Sequence, residues 1–176
     1  MKEKTIKLYD YNELSDKAKV KALENHNEHA ELYFLEDDLN DYLSQLLEDA
    51  QIKGEAELFY SLSNCQGDGV CFVGDFEHKG FTFRVSHEGR YYHSNSVNIE
   101  LIEDDEDDGD DLKADLIEIT KDEAEQYFKD AYKEICDKIE KRGYAEIEYE
   151  QSEEYFKDIC EANEYTFREN GEIEYY

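Results

Sequence analysis

At Lys53-Gly54 the hydrophobic periodicity of this chain changes, and the change restricts it to folds that combine helices with a sheet. Before that point Leu32, Leu35, Leu39, Leu43, Leu46 and Ala50 recur three and four residues apart, which predicts a helix over about 31–50. After it Leu58, Tyr60 and Leu62 alternate, which predicts a strand over 55–63. The turn residues Asn64 to Gly69 lead into a strand over 70–76, Gly80 begins a third, and His87-Glu88-Gly89-Arg90 turns into a fourth over 91–102. Strands that follow one another through short turns form an antiparallel meander.

Helical and extended segments also flank this centre. Lys4 to Tyr9 alternates as an edge strand, and Ser15 caps a helix that turns Ala18, Ala22, Leu23 and His26 to one side. A further strand is expected over 112–119. Thr120 and Glu123 have capping-box spacing ahead of a helix with Ala124, Phe128, Ala131, Ile135 and Ile139 inside, and Gly143 is placed to end it. Then follow a strand over 144–149, a helix from Ser152 to about Ala162, and a hairpin over 165–176 around Asn170-Gly171. With no internal repeat and no long linker, residues 1–176 read as one α+β domain, a mainly antiparallel sheet with helices packed on one face.

Charge limits the partners. Nineteen bases against 48 acids give a net charge of −29, roughly the charge of about 15 base pairs of duplex DNA. Such a surface repels phosphate and anionic lipid, so direct nucleic-acid binding is not expected. No apolar run is long enough for a membrane span or a secretory leader, and four cysteines without a leader read as reduced thiols in a cytoplasmic setting. Although high charge ordinarily favours disorder, 39% hydrophobic and 14% aromatic residues suffice for a core. The densest acids are Glu103, Asp104, Asp105, Glu106, Asp107, Asp108, Asp110 and Asp111, read as a solvated loop. With the outward Asp122, Glu125, Asp130, Glu134 and Asp137 of the next helix, they form a candidate surface for a basic partner.

Metal and catalytic chemistry find weaker footing. Asp104, Glu106, Asp108, Gly109 and Asp115 graze the EF-hand spacing but depart from it at positions three and twelve and in their flanks. Cys65, Cys71, His87 and His93 are zinc-ligand types at spacings unlike common structural sites. A dyad of Cys65 with His87 or His93 has nothing in the sequence to fix its distance. His26 and His29 decorate the exit of the first helix. Neither a metal nor a cofactor is called for. Gln66, Gly67, Asp68 and Gly69, together with His87, Tyr91 and His93, remain as a possible ligand site built on two turns.

The segments Tyr11 to Lys19, Ser61 to Phe72, His87 to His93 and Ala162 to Gly171 resemble a group of small acidic proteins encoded by phages and prophages. Members share the Gln-Gly-Asp-Gly turn and a His-x-Gly-x-Tyr-x-His hairpin, and are sometimes labelled antitoxins. The resemblance implies a phage context inside a bacterial cell. Combined with the charge, it leads to the expectation of a non-enzymatic counter-defence inhibitor. Such a protein would imitate DNA in the basic nucleic-acid channel of a host defence protein such as a CRISPR or restriction nuclease. Two alternatives stand beside it: a small-ligand or metal-binding module on the two turns, and an antitoxin that binds a basic toxin. Oligomeric state is not legible.

Overall fold

The computed structural model describes residues 6–29, 32, 34–102 and 119–174. The chain is α+β with an antiparallel meander. Its contacts fall into two compact units, Met1–Tyr33 with Ala145–Tyr176 and Phe34–Tyr144.

In the unit Phe34–Tyr144 the sheet dominates. There the helix α2 (Leu35–Asp49) precedes strands β1 (Glu57–Ser61), β2 (Gly69–His78), β3 (Phe81–His87) and β4 (Val97–Ile102), which pair in the order β1-β2-β3-β4. Register places Phe76 opposite Phe83, and their neighbours Asp75 and Arg84 opposite one another. The two phenylalanines turn inward, against the long helix α3 (Lys121–Glu150), where Phe83 stacks on Phe128 with centroids 4.4 Å apart. Asp75 and Arg84 point to solvent and pair through two hydrogen bonds of 2.8 and 2.9 Å. Phe72, Phe76, Phe83 and Phe128 are all fully buried, each contributing roughly 1.5–3 kcal/mol by leaving water.

Helix α3 begins as its sequence predicts, with Glu123 accepting from the Thr120 amide at 2.9 Å and Thr120 accepting from the Glu123 amide at 3.3 Å. It does not end at Gly143. A Cβ there would lie 2.3 Å from Leu62 Cδ1 and 3.5 Å from Leu39, so this glycine serves close packing inside a helix rather than termination. Consequently the strand expected over 144–149 is helical. Ile139, Gly143 and Ile147 continue the buried stripe at intervals of four, and they override the alternation of Ala145, Ile147 and Tyr149. Two other expectations are also corrected: the fourth strand starts at Val97, not Tyr91, and the second helix is helical from Leu35.

In the other unit, α1 (Asp16–His29) and α4 (Glu153–Ala162) enclose Tyr11, Leu14, Ala18, Ala22, Phe156, Cys160 and Phe167. Ser152 caps α4 by accepting from the Tyr155 amide at 3.2 Å. The hairpin of β5 (Thr166–Phe167) and β6 (Ile173–Glu174) turns at Gly171, whose φ of 86° suits glycine. The first expected strand is reduced among the described residues to a bridge, with Tyr9 and Phe167 exchanging two 2.9 Å hydrogen bonds. The strand expected over 112–119 falls almost wholly outside the described residues. No helix among them is long and apolar enough to cross a membrane.

Candidate functional site

The two turns named by the sequence meet. A Cβ on Gly67 would lie 2.7 Å from the Tyr91 ring, and one on Gly69 would lie 2.5 Å from His93 Nδ1 and 2.7 Å from the Tyr92 carbonyl. Residues 91–93 therefore lie directly on the turn, which is also why they cannot extend β4. His87 reaches the Tyr91 carbonyl through Nε2 at 3.2 Å. Phe59 stacks near both His87 and Tyr92, at 6.2 and 5.6 Å between centroids. Gln66 stays exposed, and Tyr91 is 48% exposed.

Asp68 sits at the centre of this arrangement and already has its full set of donors. Its Oδ1 accepts from Ser61 Oγ at 3.1 Å and from Cys65 Sγ at 3.0 Å. Its Oδ2 accepts from the Ser63 and Cys65 amides at 2.7 and 2.9 Å and from the Tyr144 hydroxyl at 2.6 Å. These bonds, that from Tyr144 foremost, hold the carboxyl well below the usual carboxylate range, while Tyr144 is pushed up to about 12. Five donors on one carboxylate fix the turn and leave little capacity for a ligand. The Cys65 thiol donates to Asp68, which is where its hydrogen bond goes instead of to either histidine. Cys71 is fully buried, and no group of three or more His, Cys, Asp or Glu side chains among the described residues is arranged to hold a metal.

The acidic candidates divide. Glu103 to Asp111 lie outside the described residues, as does the spacing that grazes the EF-hand. On α3, Glu125 pairs with Lys129, Glu134 pairs with Lys138 at 2.8 Å, and Asp130 accepts from Gln126 at 2.9 Å. Asp122 and Asp137 are exposed. Asp130 and Asp137 line an open groove of about 680 Å³ together with Lys129, Lys133 and His93. Residues 121–144 carry seven acids against six bases, so this stretch of helix is nearly neutral.

Stronger anionic surface lies elsewhere. Helix α2 has six acids and no base: Glu36, Asp37, Asp38, Asp41, Glu48 and Asp49. Asp38 is held by the Arg142 guanidinium through two 3.1 Å hydrogen bonds. Residues 145–174 carry eleven acids against two bases, and Glu150 is pushed up by burial and by the neighbouring Glu146. The signal for α2 was a set of acids without a base on an amphipathic helix, and that for 145–174 was an excess of acids carried from the end of α3 through α4 to the β5–β6 hairpin. Comparison with family models, with curated proteins and with solved structures finds no match to this chain.

Proposed function

We propose that this protein is a non-enzymatic inhibitor, a phage counter-defence protein whose acidic surface occupies the basic nucleic-acid channel of a host defence protein. The observation that carries the reading is the charge density of α2. Its six acids span 14 residues, 13 steps of about 1.5 Å or about 20 Å, an average of one charge per ~4 Å of axis. One strand of DNA carries a charge about every 3.4 Å. Its exposed carboxylates, Glu36, Asp37 and Asp41 near one end and Glu48 and Asp49 near the other, can meet lysines and arginines placed to hold phosphates. The acids of 145–174 enlarge the anionic surface of the chain. The near-neutral stretch 121–144 adds little, so the partner surface expected on that helix moves to α2. Asp68, bound by five donors, and the glycines covered by rings favour this reading over a ligand module on the two turns.

A competition assay tests it. Host proteins retained on immobilised DNA are challenged with the protein at 50 and 200 mM salt. Release of a basic DNA-binding protein is expected at the lower salt and should weaken by up to about 10³-fold at the higher if about six charges are engaged. Replacing Glu36, Asp37, Asp41, Glu48 and Asp49 with Gln or Asn should abolish release while the circular dichroism is retained. Release that survives in this variant refutes the assignment to α2.

A further inference from the structure

Independently of any partner, each unit contains a histidine ring that its surroundings do not equip to carry charge. In α1, His26 stacks on Phe156 of α4 with centroids 4.6 Å apart and planes at 27°, and its Nε2 is buried without a hydrogen-bond partner. In β2, His78 is 6% exposed, lies 6.1 Å from the Phe128 ring of α3, and has a buried, unpartnered Nδ1. An imidazole that gains a proton at such a nitrogen gains a charge and an unsatisfied N–H together.

We infer that the fold closes around two imidazoles that must stay neutral, His26 in one unit and His78 in the other, so that mild acid loosens both units while most carboxylates are still charged. The neighbours of each ring agree. Packed with Phe156, on which His26 stacks, are Tyr11, which donates to Glu153, and Cys160; burial pushes both up to about 12, so both remain neutral near pH 6. Glu153 is thus engaged by a hydroxyl. Around His78, Glu77 precedes it on β2, Lys79 follows it in the turn to β3, Glu48 comes from α2, and Lys53 and Gln51 come from the segment after α2. Thr82 comes from β3 and Phe128 from α3. Burial and the positive charge of Lys79 outweigh the backbone hydrogen bond with Gln51, and His78 lies below the ordinary imidazole value. Burial alone does the same for His26.

The sign is distinctive. A folded-state value below the unfolded 6.5 means that unfolding takes up protons as pH falls beneath about 6.5, so stability declines from there down to the folded value. An acidic protein without such rings should gain stability over the same interval, because protonation relieves self-repulsion. Glu150, pushed up by burial, works in that stabilising direction.

The test is urea unfolding at pH 7.5, 6.5 and 5.5 on the full chain and on His26→Gln, His78→Gln and the double variant. In the native sequence the unfolding constant should rise between pH 7.5 and 5.5 by up to about tenfold for each histidine, about half of that factor falling between pH 6.5 and 5.5. Each single variant should lose its own share of that rise, and the double variant should be flat or gain stability. Nuclear magnetic resonance titration of the histidine ring protons in the native protein decides the matter even if a variant does not fold: His26 and His78 should resist protonation below 6.5. Protonation of both at or above 6.5 in the folded protein, or an unchanged pH slope in a folded double variant, overturns the inference.

Discussion

Replacing Tyr132 with Phe removes one oxygen atom and leaves two backbone groups without partners. The Tyr132 hydroxyl accepts from the Phe72 amide at 3.0 Å and donates to the Phe72 carbonyl at 2.9 Å. It takes the place of a neighbouring strand: β2 pairs with β3 only from Gly74 to His78, so β3 does not reach Phe72. Tyr132 is 1% exposed and Phe72 fully buried. A buried donor or acceptor left unsatisfied costs about 1–3 kcal/mol, and there are two of them. The ring itself is kept, with its 4.3 Å contact to Phe72, so little packing is lost. A net destabilisation of about 2–4 kcal/mol follows. With a urea slope of about 2 kcal/mol/M, the midpoint should fall by about 1–2 M with the slope unchanged. Far-ultraviolet circular dichroism follows the transition. A midpoint within about 0.3 M of the native protein would refute the claim that this hydroxyl substitutes for a strand.

Gly143→Ala places a methyl 2.3 Å from the end of the Leu62 side chain and 3.5 Å from Leu39; displacing Leu62 should cost about 1–3 kcal/mol in the same urea assay, offset by about 1 kcal/mol of helix propensity gained by alanine. A variant more stable than the native protein would show that Leu62 yields freely and that close packing does not require this glycine. Asp68→Asn should destabilise the Gln66–Gly69 turn and return Tyr144 from about 12 toward the ordinary phenol value, readable by ultraviolet titration. Below the histidine interval a second acid limb is expected. Asp75 is lowered by Arg84, Glu123 by Thr120, Glu134 by Lys138 and Glu174 by Arg168, so their stabilisation is present above the unfolded carboxylate values and lost as pH falls through the folded ones. Urea midpoints that stay level from pH 4.5 to 3 would contradict it.

Much of the candidate chemistry was legible as residue types but not as roles. Gln66 to Gly69 and His87 to His93 stood out as turns, and the structure brings them together; what the sequence left open was that the glycines make room for Tyr91 and His93. Tyr144, read as part of a strand, supplies the hydroxyl that most strongly holds Asp68. Likewise the acids of α3 were visible, whereas their pairing with Lys129 and Lys138 depended on which faces the helix turns outward.

Periodicity and capping chemistry by themselves determined the α+β class, the meander, the start of α3 at Thr120 and the cap of α4 at Ser152, because these depend on interactions within a few residues. Tertiary structure decided the rest. Whether α3 stops at Gly143 depends on Leu39 and Leu62, far away in sequence, and whether a histidine can accept a proton depends on the phenylalanine against it. A local pattern admits either outcome at such positions, and the free energy that selects one comes from atoms that only folding brings near.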